Sequence, residues 1–584
     1  MPVFMNPFQK HDISDFPDTY VPLAQAERHP SVVAAHKSID IDKDKDYGLS
    51  SSPTRAASDN DYSTHTIEGL IAEVDLDIAA SGHDTAYDRK SKVINKAIMD
   101  IGMGWYQWQL FVLCGFGWLA DNLVLQVVAL TLPSLTSEFG PTATQVRYTT
   151  TSIFVGLCVG ASFWGIASDI IGRRLAFNAT LFLAGVFGLA VGGGPSWVGV
   201  CGLYAAVGVG VGGNLPVDGA LFLEFLPQAS RGLLTLLSVW WPLGQLIGSL
   251  IAWGFLTNSK YACEPTLLSC NVTPPGGACC HKSQNMGWRY LNIVTGAIIF
   301  LMFVARFFLF HLFESPKFLL SKGRQAEAVA TVHGIAYKNK RKTWLSEEVL
   351  NAVGGDPEVV GHVKLSTIEI IKRFFSKFSG DRIAPLFATR RIGTMTLLVW
   401  FCWATIGMGY PLFNAFLPQY LQNAGKDIPP TPNNIVYRNY AITSIVGVPG
   451  SLIAAYTVDV KYIGRKYTIA VSTLITGILL FMFTLSSTPN YQLTFSSLEA
   501  FFQNIMYGVL YAYTPEVFPA PNRGTGTGIA SCLNRITGLC APIVAVHAGQ
   551  VNPNAPVYAS GALIIAAFLA MCAFPIETRG KASL

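Results

Sequence analysis

The sequence predicts an all-α polytopic membrane protein with twelve transmembrane helices arranged as two six-helix bundles. Three observations carry this. Of 584 residues, 51% are hydrophobic and only 13% are charged, about half the ~25% charged share of a soluble domain. Apolar runs close to the length that crosses about 30 Å of hydrocarbon recur along most of the chain. Short polar phrases also repeat, in the same order, in the two halves.

Residues 1–100 stand apart. They carry 17 acidic against 10 basic side chains and include SIDIDKDKDYG and SSPTRAASDNDYS. Such a composition buries too little apolar surface to offset its ordering entropy, which predicts a disordered acidic cytoplasmic tail. The opening MPVFMNPFQKHD has no apolar core for a cleavable signal peptide, so the first membrane helix is expected to direct insertion.

The first six spans are expected near 108–133, 147–166, 175–193, 198–224, 233–256 and 289–312. The second six are expected near 391–421, 436–457, 467–487, 493–515, 525–548 and 555–575. They divide the chain into a bundle over 101–313, a cytoplasmic central loop over 314–390, a bundle over 391–576 and a cytoplasmic C-terminus over 577–584. The stretch 313–390 holds 13 Lys plus Arg, and DIIGRR, QASRG, VKYIGRK and APNRG fall on the same side. The positive-inside rule therefore places these loops and both termini in the cytoplasm.

The longest loop on the opposite side, about 257–288, contains Cys263, Cys270, Cys279 and Cys280. Four cysteines in a non-cytoplasmic loop predict disulfides in an oxidising space. A bond between the neighbours Cys279 and Cys280 is disfavoured, which leaves two connectivities open. Asn271-Val-Thr273 in the same loop is a glycosylation sequon, with Pro274 directly after it.

The halves match phrase by phrase. EFLPQASRG, with Glu224, Pro227, Arg231 and Gly232, follows the fourth span; EVFPAPNRG, with Glu516, Pro519, Arg523 and Gly524, follows the tenth. GIASDIIGRR, with Asp169 and Arg173, lies between the second and third; AYTVDVKYIGRK, with Asp459 and Arg465, lies between the eighth and ninth. FESPKFLL, with Glu314, and PIETRGK, with Glu577, close the two halves. The chain thus reads as a six-plus-six duplication.

D-x-x-G-R-R, the paired E-x-x-P-x-x-x-R-G, E-S-P, P-x-E-T-R-G and GWRY at 287–290 resemble the major facilitator superfamily, most of all its sugar-porter and synaptic-vesicle-glycoprotein-like branches. The likeness covers about residues 100–581. It implies two six-helix bundles around a central cavity, working by alternating access. A midplane site between related halves agrees with general transporter architecture. The Q-Q-L-S-G-like phrase of hexose carriers is absent from the seventh span, which reads WFCWATIGMGYPLFNAF and includes Asn414. Gln245 in the fifth has a possible sugar-porter counterpart, but WPLGQLIGSL is not a clean G-x-x-x-G-P antiporter signature.

The acids and arginines of the repeated phrases lie at helix ends and can pair bidentately. Asp169, Arg173, Glu224, Arg231, Glu314, Asp459, Arg465, Glu516, Arg523 and Glu577 are therefore expected to form a cytoplasmic gate. The plainer alternative is that they only end helices and satisfy the charge rule.

An ionisable group in hydrocarbon costs roughly +2.5 to +3.5 kcal/mol on insertion scales, so each marks a functional candidate. Asp121, in GWLADNLVLQ, lies 13 residues into the first expected span, ~20 Å deep at 1.5 Å per residue. A carboxyl there can load and release a proton as its exposure alternates, and an acid on the first span also occurs in proton-coupled relatives of the resembled family. The alternative is a fixed ion pair, for example with Arg535 on the eleventh span. Asp218 is the second coupling candidate, with a plain hydrogen bond to a neighbour as its alternative. Glu499, Gln503, Tyr507 and Tyr511 follow at i+4 steps and should face a cavity. Arg535 in that cavity suits a carboxylate or phosphate on a substrate. Arg306 is expected to snorkel to the interface.

GVGVGGNLPVDGALFLEF, residues 208–225, contains G-x-G-x-x-G. A dinucleotide fingerprint needs a preceding strand and a turn, whereas these glycines lie inside one apolar span. Small residues there let neighbouring helices approach closely, and Pro216 loosens the hydrogen-bond ladder. Gly210, Asn214 and Asp218 at i+4 steps form a stripe expected to border the cavity.

These features predict a secondary active transporter for a small polar or anionic organic solute, working by proton-coupled symport as a monomer in a eukaryotic plasma membrane. Its expected partners are the solute, H+ and the lipid bilayer. Two alternatives stay open: an exporter of a hydrophobic metabolite or toxin, and a non-transporting sensor or trafficking receptor. No G-x-x-x-x-G-K-[ST] phrase points to ATP, and no nucleophile–base or metal-ligand cluster points to an enzyme. No nucleic acid, cofactor or metal is expected.

Overall fold

A backbone crossing hydrocarbon must satisfy its own hydrogen bonds, so each apolar run becomes a helix. The computed structural model describes residues 10–29, 65–81, 85–227, 233–264, 267–274, 277–310, 312–355, 383–422, 431–457, 464–485, 488–518 and 523–577. Within these, the first bundle consists of Trp105–Phe139, Gln145–Ile171, Arg173–Val191, Trp197–Phe225, Leu233–Leu256 and Gly287–Phe308, spans 1 to 6. The second consists of Arg390–Asn414, Asn433–Thr457, Gly464–Phe483, Pro489–Val517, Arg523–Val551 and Ala555–Cys572, spans 7 to 12. Eleven of the twelve are long and apolar enough to cross a membrane by composition alone. The exception is span 10, which carries Gln492, Glu499, Gln503 and Asn504, with Glu499 and Gln503 buried inside the protein.

Spans 5 and 8 pack together, as do spans 2 and 11, and these pairs join the two bundles. Spans 2 and 4 touch backbone to backbone. A Cβ on Gly156 would lie 2.0 Å from the carbonyl oxygen of Ala205, and one on Gly208 would lie 2.5 Å from that of Ile153. The glycines at 208–213 therefore serve helix packing. Span 4 is interrupted: one helix ends at Val211 and the next begins at Asn214. Span 6 ends in a π-helical stretch, Ala305–Leu309.

In the loop between spans 5 and 6, Cys263 pairs with Cys280 and Cys270 with Cys279, one of the two connectivities left open by the sequence. Asn271 is exposed on the same loop.

Residues 1–100 are expected to be a disordered tail; their described parts, 10–29, 65–81 and 85–100, are folded, and the rest lie outside the described residues. The folded parts include helices Ile67–Ser81 and Ala86–Ile101. Leu70, Val74, Val93 and Ile94 share an apolar cluster with Val332, Ile335, Leu350 and Val353 of the central segment. Arg28 is buried in ion pairs with Glu73 at 2.9 Å and Asp100 at 2.8 Å, and the Trp344 indole N–H donates to Asp100 at 2.8 Å. Thr19 Oγ1 lies 2.8 Å from His333 Nδ1. The segment cannot bury enough surface alone, but it does so against the central segment, which also forms helices, Pro316–Ser321, Gln325–Lys338 and Glu347–Gly354. Averaged composition hides an amphipathic helix whose burial partner lies far along the chain.

Candidate functional site

Between the bundles lies a cavity of about 140 Å³ with walls from both. Asp121 and Asn122 contribute from span 1, Leu157 and Cys158 from span 2, and Trp241 and Gln245 from span 5. Tyr410 of span 7, Gln503, Tyr507 and Tyr511 of span 10, and Ser531 and Arg535 of span 11 complete it. Asn414 lines a smaller recess that shares Gln245 and Tyr410. Asn214 and Glu499 are buried and are not among the residues lining either space.

Asp121 sits near the middle of its helix and is 4% exposed. Asn214 Nδ2–H donates to it at 2.9 Å and reaches the Gly117 carbonyl at 3.3 Å. Among the described residues no cation lies within ion-pair distance of Asp121, so the alternative of a pair with Arg535 is not formed in this conformation. Asp218 differs. Its carboxylate is fully buried and paired with Arg306 at 3.0 Å.

Arg306 does not snorkel. It is 1% exposed, donates to the carbonyls of Leu113 and Phe177, and lies over the Phe177 ring at 3.4 Å. An acid waiting inside the bundle gives the guanidinium a better partner than the interface. The expected stripe along span 4 also turns away from the cavity. A Cβ on Gly210 would meet span 3 at Ala184 and Thr180, while Asn214 meets span 1 and Asp218 meets span 6.

Glu499 accepts from Gln503 Nε2–H at 2.6 Å, and Asn414 Nδ2–H donates to Gln503 Oε1 at 3.2 Å. The other Glu499 oxygen is buried with no hydrogen-bond partner.

Arg535 crosses from the second bundle to the first. Its Nη1 donates to the Leu157 carbonyl at 3.3 Å and its Nη2 to that of Gly212 at 3.4 Å. Pro216 has no N–H and cannot serve the carbonyl four residues before it, which is that of Gly212. The break in span 4 thus supplies an acceptor for the cavity arginine.

At the ends of the cavity lie residues that were not legible in the sequence, Trp118, Trp241, Trp403 and Arg147, and Tyr511 of the expected stripe meets the first three. Trp118 and Trp241 stack with centroids 4.8 Å apart, and Tyr511 meets Trp241 at 4.9 Å and Trp403 at 4.7 Å. This aromatic layer lies toward the end that carries the central segment. Toward the disulfide loop, Arg147 is buried and donates to Gln419 Oε1 at 3.0 Å and the Ala545 carbonyl at 2.6 Å, with Phe416 under its guanidinium. A usable signal was present only for Arg147: a basic residue in TQVRYTT at the end of a span where the positive-inside rule gives it no purpose.

The repeated phrases build matching clusters within each bundle. Arg173 pairs with Asp169 and with Glu224, both at 2.9 Å. Glu314 accepts the backbone N–H of Arg173 at 3.0 Å and of Arg174 at 3.2 Å. In the second half Arg465 pairs with Glu516, and Glu577 accepts the N–H of Arg465 at 3.2 Å and of Lys466 at 3.0 Å. Arg231, Asp459 and the Arg523 side chain lie outside the described residues. Glu314 and Glu577 each sit on the positive end of a helix, where orphan N–H groups await an acceptor. Cys270, Cys279 and His281 come close enough to hold a metal, but the two sulfurs are bonded to each other.

The family described as sugar (and other) transporter matches residues 97–583. The chain is 42% identical over 501 residues to the MFS siderochrome iron transporter 1 of Ceriporiopsis subvermispora (strain B), covering 86% of this chain and 93% of that protein. It is 27% identical over 510 residues to the synaptic vesicle 2-related protein of Xenopus laevis, covering 84% and 82%. The partially occluded inward-open xylose transporter XylE from E. coli matches with a TM-score of 0.57 at 17% identity, over 82% of this chain and 99% of that one. That last likeness concerns the fold alone. With both bundles and all the paired phrases inside the matched region, the chain belongs to the sugar (and other) transporter family of the major facilitator superfamily, in its sugar-porter and synaptic-vesicle-2-like branch.

Proposed function

We propose that this membrane transporter is a proton-coupled symporter for a small organic solute bearing an anionic group, with Asp121 as the proton carrier. The observation that carries the reading is a contrast among buried acids. Glu138 is neutralised by Arg289 at 2.6 Å and Asp218 by Arg306 at 3.0 Å. Asp121 and Glu499 both have a neutral amide as side-chain partner, and of the two only Asp121 borders the transport cavity. A charge left in a dry interior without a counter-ion is expensive, so this carboxyl crosses between the two exposures with a proton bound and releases it on the side where water reaches it.

The solute sits between Arg535, whose guanidinium keeps its charge at any relevant pH, and the polar group of Gln245, Tyr410 and Tyr507. Its anionic group displaces the long bonds from Arg535 to the Leu157 and Gly212 carbonyls. That exchange would release the tie between the bundles when substrate binds. A cavity of about 140 Å³ is below the ~300–1,000 Å³ of drug-sized sites, which favours a small solute. The clusters around Arg173 and Arg465 serve as the cytoplasmic gate.

The test is uptake into proteoliposomes holding the full chain, with and without an imposed pH gradient, for a panel of small carboxylates, phosphate esters, zwitterions and monosaccharides. Gradient-driven accumulation of an anionic member is expected. Accumulation of neutral sugars alone, indifferent to the gradient, would overturn the reading.

A further inference from the structure

A second cavity, about 280 Å³, lies at the end of the first bundle that carries the central segment. It is separate from the transport cavity and shares no lining residue with it. Three cations face it: Arg174 at the start of span 3, Arg324 at the start of helix Gln325–Lys338, and Lys10 of the N-terminal segment. His11 also lines it, within 3.4 Å of Asp15.

Both acids in the lining are already engaged. Glu327 is bound by Arg324, and Glu314 accepts backbone N–H groups from Arg173, Arg174 and Ser315. Arg174 has no carboxylate within ion-pair distance among the described residues; its guanidinium donates to the Leu312 carbonyl at 3.4 Å and feels the Glu314 charge from beyond that distance. Asn178 supplies an independent observation. It is 4% exposed, its Nδ2–H donates to the Arg174 carbonyl at 2.8 Å, and its Oδ1 is buried with no hydrogen-bond partner.

A buried acceptor without a donor is costly, and Asn178 lines this cavity. The site therefore asks for two things at once: an anion for the cations and a hydroxyl for Asn178. Its flank is apolar. Ile171 and Leu175 also line it and are among the exposed large hydrophobic residues of the protein, at the level where a membrane helix meets headgroups.

We propose that this cavity binds a phosphate-bearing polyol, with the phosphate held by Arg174 and Lys10 and by Arg324, which it shares with Glu327, and a hydroxyl donating to Asn178 Oδ1. A guanidinium matches phosphate oxygens in geometry as well as charge, and basic pockets beside membrane helices bind phosphorylated headgroups. The same chemistry is offered by the headgroup of phosphatidylinositol and by a free polyol phosphate. Because Lys10 belongs to the N-terminal segment, occupancy would pin that segment to the bundle.

Full-length protein in nanodiscs of phosphatidylcholine, with and without phosphatidylinositol, is examined by thermal unfolding and native mass spectrometry. In parallel, detergent-solubilised protein is titrated with inositol 1-phosphate. Retention of phosphatidylinositol with a raised unfolding temperature is expected, and loss of a charge-assisted contact in Arg324→Gln should weaken binding about tenfold. Lys10→Glu, at an exposed position, should weaken it without touching the bundle. A response to lipid alone identifies the headgroup as the source; an equal response to inositol 1-phosphate identifies a soluble ligand. No preference for phosphatidylinositol together with no response to inositol 1-phosphate would overturn the proposal. So would unchanged binding in both variants.

Discussion

Arg535 Nη2 donates at 3.4 Å to the Gly212 carbonyl, the acceptor that Pro216 leaves without its helical donor. Pro216→Ala restores an N–H four residues on and gives Gly212 a competing partner. A hydrogen bond to a charged group contributes about 1.5–3 kcal/mol, so the tie between the bundles should weaken by a share of that. Uptake kinetics in a double-mutant cycle with Arg535→Gln check this. A coupling near zero would show that the two residues act independently.

Asp218 and Arg306 form a pair with both side chains fully buried. Removing one partner of such a pair costs about 3–5 kcal/mol, whereas replacing both with apolar groups is close to neutral. Asp218→Asn should therefore lower the unfolding temperature strongly, and Asp218→Leu with Arg306→Met should recover most of it. Thermal unfolding in detergent measures both. Wild-type stability in Asp218→Asn together with lost proton coupling would move the carrier from Asp121 to Asp218.

Arg147 links the bundles at the disulfide-loop end through Gln419 and the Ala545 carbonyl. Cys158 is a free cysteine on the cavity wall. Arg147→Ala should open that end and speed labelling of Cys158 by a membrane-impermeant thiol reagent several-fold. Unchanged labelling would show that the closure does not depend on Arg147.

His333 anchors the N-terminal segment through Thr19, and its Nε2 lies 2.8 Å from the Leu345 carbonyl. Burial pushes its pKa below the ordinary histidine value of 6.5, partly offset by the bond to Leu345. His333 then binds the proton more readily when the N-terminal segment is undocked than when it is docked. Docking is fully stabilised above pH 6.5 and weakens as pH falls through the lowered value. Limited proteolysis of residues 10–29 should accelerate on acidification, and His333→Gln should flatten that dependence. Cleavage independent of pH in the wild type would contradict the assignment.

The duplication was legible because its signals are local. Glu224 and Glu516 stand in short phrases with identical offsets, Arg173 and Arg465 in phrases that differ by two residues, and helix ends bring them together without help from distant sequence. Asp121, Gln503, Tyr507 and Arg535 were readable as polar exceptions in apolar helices. What could not be read depended on partners remote in the chain. Arg306 finds Asp218 instead of the interface, and Gly210 faces span 3 although its i+4 neighbours promised a cavity stripe. A helical period shows which residues share a face, but not what that face meets. The folded N-terminal segment was missed for the same reason: Thr19 and His333 are 314 residues apart.

On the proposed mechanism Asp121 carries the coupled proton. The most direct test of that role compares Asp121→Asn with wild type in proteoliposomes, measuring pH-gradient-driven uptake and gradient-free counterflow of the same solute. Asparagine keeps the shape and a hydrogen bond to Asn214 but cannot load a proton. Gradient-driven accumulation should disappear while counterflow persists at a comparable rate. Accumulation that still follows the pH gradient in Asp121→Asn would contradict that role.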